Sequence, residues 1–104
     1  MSINPKAVRQ QMQRMQEQLR RIQEELAEKT VEVSVGGGAV RVVMDGHQQL
    51  REISIAPEVV DPGDLAMLQD LIVAAVNQAV ERSREMAEQS MGALFGGLGL
   101  PGLL

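Results

Sequence analysis

The stretch VEVSVGGGAVRVVMDG, residues 31–46, sets three consecutive glycines between two valine-rich runs. Whether those glycines grip a phosphate or turn a hairpin decides what kind of fold the chain has. A phosphate loop delivers its N–H groups at the start of a helix, either followed by Lys-Ser/Thr or in the form GxGxxG. Here Gly36, Gly37 and Gly38 run straight into AVRVVM, where Val40, Val42 and Met44 share one face. The preceding VEVSV alternates Val31, Val33 and Val35 with Glu32 and Ser34. Both runs have the two-residue period of a strand. The glycines are read as a hairpin loop, and the nucleotide-binding reading falls.

Downstream, DGHQQ (45–49) separates the second run from REISI (51–55), in which Ile53 and Ile55 alternate with Glu52 and Ser54. Asp-Gly favours a tight turn because both positions tolerate positive φ. The expectation is a three-stranded antiparallel meander. Upstream, Val8, Met12, Met15, Leu19, Ile22 and Leu26 are spaced alternately by four and three residues. That heptad seam predicts a long helix from Pro5 to about Lys29, with Pro5 in its first turn and Ser2 or Asn4 as cap. Glutamines at 10, 11, 13, 16, 18 and 23 cover much of its remaining surface. After IAPEVV, Asp61 is expected to cap a second helix, with Pro62 in its first turn. Leu65, Leu68, Ile72, Ala75, Val76, Ala79, Ser83, Met86 and Ala87 form its apolar stripe, reaching nearly to Gly92.

The pattern is an α+β chain of order α-β-β-β-α. Residues 1–91 are read as one domain and 92–104 as a flexible Gly/Leu-rich tail, since five glycines and Pro101 among leucines suit no regular element. With 104 residues, no Trp or Tyr and only Phe95 as an aromatic, the core must come from aliphatic side chains and Met. So modest a core gains from being shared with a second copy, and an oligomer is expected. Leu19, Ile22, Leu26, Leu68, Leu71, Ile72 and Val76 are the core and dimer candidates.

Catalysis lacks parts. There is no cysteine, hence no disulfide, thiolate nucleophile or Cys-based metal site, which suits a reducing cytoplasm. His47 is the only histidine and sits beside a turn, where an exposed loop residue is expected; Asp61 and Asp64 are read as caps rather than metal ligands; no serine has a base nearby in sequence. No enzyme activity, cofactor or metal is expected. The polar N-terminus lacks a signal-type apolar run, and no stretch reaches membrane-spanning length.

Net charge is −4 but unevenly placed: residues 1–21 carry +4 and residues 61–104 carry −4. On the first helix Glu17 precedes Arg21 by four residues and Arg20 precedes Glu24 by four, so these charges partly neutralise one another. Lys6, Arg9 and Arg14 have fewer acidic neighbours and are the freer cations for a phosphate backbone. The missing aromatic platform argues against stacked single-strand recognition.

The glutamine- and methionine-rich first helix, the glycine hairpin, the V-x-V-x-M-D-G run from Val40 to Gly46, the I-x-I-x-P of Ile53 to Pro57 and LQDLIVAAVNQA (68–79) together closely resemble the YbaB/EbfC family of small bacterial nucleoid-associated proteins. The resemblance spans nearly the whole chain. It implies a tweezer-like homodimer that binds double-stranded DNA and associates with the nucleoid. It further implies DNA contact through basic residues of projecting helices, here Lys6, Arg9, Arg14, Arg20 and Arg21, with Arg41 a lesser candidate on the outer sheet face. Backbone contacts with weak sequence preference are expected. The rival expectation is a dimeric protein-interaction module, its helices and apolar tail gripping another protein, with DNA contact incidental.

Overall fold

The computed structural model describes residues 3–97 and follows the expected order. Helix α1 (Pro5–Glu28) opens on Asn4, whose Oδ1 accepts the Lys6 N–H at 3.0 Å, with Pro5 in the first turn. This satisfies a donor that the helix itself leaves unpaired. The helix closes on Lys29, an extended residue whose N–H donates to the Glu25 carbonyl at 2.8 Å and which alone joins α1 to strand β1 (Thr30–Val35). Strands β2 (Val40–Asp45) and β3 (Leu50–Ile55) complete an antiparallel sheet of order β1-β2-β3. In the first hairpin Gly36, Gly37 and Gly38 all have positive φ, at +63°, +66° and +94°. That conformation is cheap only for glycine.

The second hairpin differs from its sequence reading. Positive φ falls on neither Asp45 nor Gly46 but on Gln48, at +59°. The chain makes a turn over Asp45–Gln48, closed by the Gln48 N–H on the Asp45 carbonyl at 3.3 Å and the Asp45 N–H on the Gln49 carbonyl at 2.9 Å. Gly46 is required for another reason: a Cβ there would lie 2.7 Å from both the carbonyl oxygen and Cδ2 of Leu26. Past the turn the register slips, Val43 facing Glu52 while Met44 faces Leu50. Arg51 is the extra residue, and such a bulge redirects its side chain. The slip also brings Leu50 into line with Ile53 and Ile55, opposite Met44, Val42 and Val40.

A short 3-10 turn, Pro57–Val59, leads to α2 (Leu65–Gly97). Its cap is Asp64, whose Oδ1 accepts the Met67 N–H at 3.3 Å; Asp61 instead accepts the Gly63 N–H at 2.8 Å in the preceding turn, where Pro62 also lies. The cap moves because Asp61 spends its carboxylate on the Pro-Gly turn. Val33, Val40, Val42, Met44, Ala75 and Ala79 form the buried core, with Leu68, Leu71, Ile72, Val76 and Val80 packed against it. The small alanines let helix and sheet approach, and each fully buried Val or Met contributes about 1.5–3 kcal/mol.

α2 lies over β1 and β2, while Leu50, Ile53 and Ile55 of β3 remain 45%, 41% and 36% exposed. The helix also continues through Met91–Gly97, where an irregular tail was expected from residue 92. Residues 98–104 lie outside the described residues. The molecule measures 75 × 24 × 16 Å with a radius of gyration of 20.2 Å. A compact chain of this length would have about 13 Å. The excess comes from two helices that outrun the sheet.

Candidate nucleic-acid interface

Only the second half of α1 rests on the body. Leu26 is 2% exposed, and Leu19 and Ile22 are half-buried. A shallow groove between the helices is lined by Gln18, Arg21, Ile22 and Glu25 of α1, by Lys29 at its end, and by Ser90, Ala93 and Leu94 of α2. Toward the N-terminus the seam loses its cover: Val8 is 41% exposed and Met12 58%. The first half of α1 is therefore an arm, its helix held by Asn4, Pro5 and its own backbone rather than by packing.

The structure brings five of the six basic candidates together on this helix and separates the sixth. At 100° per residue, Arg14 and Arg21 share one row, Arg9 and Arg20 share another, and Lys6 lies between them, all away from the apolar seam. Lys6 to Arg21 spans about 22 Å at 1.5 Å per residue. Duplex DNA carries one charge per about 1.7 Å of its axis, so every cation on the arm has phosphates within its span. The charges are not equally free. Arg20 pairs with Glu17 and with Glu24, the latter at 2.6 Å. The hydrogen bond from Arg20, then its charge, holds the Glu17 carboxyl below the usual carboxylate range. Glu17 thus engages the residue three positions on and leaves Arg21 without an ion pair. Among the described residues Lys6, Arg9, Arg14 and Arg21 form none.

Arg41 stands on the outer face of the sheet, as expected, but its guanidinium lies 3.0 Å from Glu32 and 3.3 Å from Glu52, and also donates to Ser54 at 3.4 Å. Two carboxylates outweigh one guanidinium there, and the local surface is net acidic. Gln10 and Gln13, read from the sequence only as polar cover, line a shallow surface with Arg14, Glu17, Gln18 and Arg21. Their position three apart, just ahead of Arg14, was the available signal.

The helix meets the body at the second hairpin. Asp45 is 1% exposed and accepts from the N–H groups of His47 and Gln49 at 2.8 and 3.1 Å and from Arg51 Nε at 2.8 Å. Burial pushes its pKa up, but those two backbone donors and the Arg51 guanidinium outweigh it and leave the carboxyl below its ordinary value. Buried Ser83 donates to the Asp45 carbonyl at 2.6 Å and accepts from Gln48 Nε2 at 2.9 Å. No group of three or more His, Cys, Asp or Glu side chains able to hold a metal occurs among the described residues, and none of their helices is long and apolar enough to cross a membrane.

Comparison with known proteins agrees with this architecture. A nucleoid-associated protein of Syntrophobacter fumaroxidans is 54% identical over 98 residues, covering 94% of this chain and 83% of its own. One of Desulforamulus reducens is 52% identical over 103 residues, covering 99% and 98%. The crystal structure of an uncharacterized protein from Helicobacter pylori superposes with a TM-score of 0.70 at 16% identity, over 93% of this chain and 98% of that one. At that identity it speaks for the fold alone. The profile of the YbaB/EbfC DNA-binding family, a family of DNA-binding proteins rather than enzymes, matches residues 1–98, and the chain belongs to that family.

Proposed function

We propose that this protein binds double-stranded DNA as a homodimer on the nucleoid, in the cytoplasm, through the cations of α1 that carry no ion pair, and that it shapes nucleoid organisation and gene expression by doing so. The observation that carries the reading is the placement of Lys6, Arg9 and Arg14 on the exposed arm and of Arg21 further along the same helix, each exposed and without a carboxylate partner among the described residues. Phosphate contacts position a protein without reading sequence, so preference among sequences is weak. The net charge of −4 belongs mostly to the body. An arm standing clear of that body still presents a positive field.

A second copy is supported by the β3 face. Leu50, Ile53 and Ile55 form an apolar row left partly exposed by the described elements of the chain, and β3 is an edge strand. Two-fold symmetry puts the same surface on both subunits, so one partly exposed row covers the other. The expected result by light scattering is a dimer for the wild type and a loss of dimer for Ile53→Glu.

The test of the DNA reading is binding to several unrelated duplexes across a salt series. Neutralising Z phosphates gives a slope of about −0.9Z. Arg9→Ala/Arg14→Ala removes two charges per chain and should reduce the magnitude of the slope by up to about 3.6 per dimer, with sequence preference unchanged. Equal affinity and slope in a folded, dimeric double variant would refute it. The rival reading, a protein-interaction module, draws on Ile3, Val8 and Met12 standing 77%, 41% and 58% exposed on the same arm, and would then take its place. The apolar tail assigned to that role lies largely outside the described residues.

A further inference from the structure

We propose that the Asp45–Gln48 turn is a clasp that fixes the angle of the α1 arm, with His47 as a positioning residue for the DNA-contacting cations; the last clause rests on the reading above. Only Lys29 joins α1 to β1. A one-residue joint is a pivot, and a pivot alone leaves direction open. The turn supplies attachment away from that pivot: the Gly46 N–H donates to the Leu26 carbonyl at 2.8 Å, and His47 Nε2 meets the Gln23 carbonyl at 2.8 Å. A carbonyl can only accept, so His47 carries its proton on Nε2 and donates. Gly46 reaches Leu26 so closely that no Cβ fits between them.

The clasp is itself anchored. Asp45 gathers the backbone of His47 and Gln49 and the side chain of Arg51, and Ser83 ties the Asp45 carbonyl and Gln48 to α2. The turn therefore moves with the body, and it holds α1 where that helix faces α2 across the groove lined by Ser90, Ala93 and Leu94. Leverage makes this grip matter. From Gln23 to Lys6 is about 25 Å at 1.5 Å per residue, so a tilt of about 10° carries Lys6 over about 4 Å. Charge-assisted hydrogen bonds hold only near 2.7–2.9 Å.

The chain has no cysteine, which permits a direct measurement. Spin labels at Gln16→Cys and Asn77→Cys, diluted with unlabelled protein so that only distances within one chain are read, report the angle between arm and body. The expected result is a narrow distribution in the wild-type background and a broadened one with His47→Ala. His47→Gln, whose amide N–H can reach the same carbonyl, should restore the narrow one. In unlabelled protein, His47→Ala should weaken duplex binding by about three- to tenfold through lost preorganisation. The salt slope should stay unchanged, because no phosphate-contacting cation is removed. Gly46→Ala, if it folds, should shift the mean distance rather than broaden it. An unchanged distribution in His47→Ala, or undiminished binding at matched salt, overturns the proposal. If the wild type binds no duplex at all, the DNA reading fails while the distances still decide whether the turn holds the arm.

Discussion

The two hairpin turns both contain glycine, for opposite reasons. At Gly37 and Gly38 an added Cβ would meet nothing within 4 Å, and glycine is needed because φ is +66° and +94°. At Gly46 φ is not in the left-handed region, and glycine is needed because Leu26 leaves no space. The first turn stands clear of the chain at Gly37 and Gly38, though Gly36 beside them approaches Leu71 of α2; the second is a joint where α1, the sheet and α2 meet. A glycine thus reports either a backbone conformation or a close approach, and only its surroundings say which.

The comparison breaks most sharply at Gly46. Gly46→Ala must displace the last turn of α1 or the hairpin, and should cost about 2–4 kcal/mol by overpacking and a weakened buried hydrogen bond. Urea unfolding at fixed protein concentration measures it. A cost no larger than that of Gly37→Ala would erase the distinction drawn above.

Asp45 sharpens it next. Asp45→Asn weakens the charge-assisted contacts of the joint and should destabilise by about 1–3 kcal/mol at neutral pH. The sign of its pH dependence follows from the lowered carboxyl pKa. The stabilisation is fully present above the unfolded value of about 3.9 and is lost as pH falls through the folded value. In thermal melts the gap between wild type and variant should therefore hold above about pH 3.9 and narrow as the pH falls below it. The Glu17 carboxyl, also lowered but exposed, is common to both proteins and does not affect the difference.

The first turn should give the smallest effects. Gly37→Ala is expected to cost about 1 kcal/mol, from φ alone. Gly37→Asn should cost under about 0.5 kcal/mol, because asparagine enters the left-handed region more readily. Calorimetric midpoints for the pair, compared with Gly46→Asn, separate conformation from space: at residue 46 asparagine should be no better tolerated than alanine.

Much of the fold is legible in the residues, for local reasons. The four-three spacing from Val8 to Leu26 specifies a helix, the two-residue alternation from Val31 to Ile55 specifies strands, and three adjacent glycines need no partner to turn a chain. The interior positions Val33, Val40, Val42 and Met44 follow from parity once the strands are recognised. The arm cations were equally readable, since charge and helical spacing are properties of the chain itself. Arg20 and Arg21 were less so: both have a glutamate within a turn, and side-chain geometry chose Arg20 for Glu17. The end of α2 reads as irregular because glycines at 92, 96 and 97 lower helix propensity, yet the helix persists to Gly97 and Leu94 lines the groove that Ile22 of α1 also lines.

By itself the sequence determined which segments are helical or extended, which faces are apolar, and where positive charge lies, because these follow from periodicity and side-chain chemistry within a few residues of each other. Tertiary structure alone decided that Gly46 abuts Leu26, that the bulge turns Arg51 toward Asp45, that β3 keeps a partly exposed apolar row, and that Arg41 spends its charge on Glu32 and Glu52. Each of these depends on the register between strands or on which helix arrives at a given surface. Those are relations between distant residues, and no local pattern of the chain encodes the distance between them.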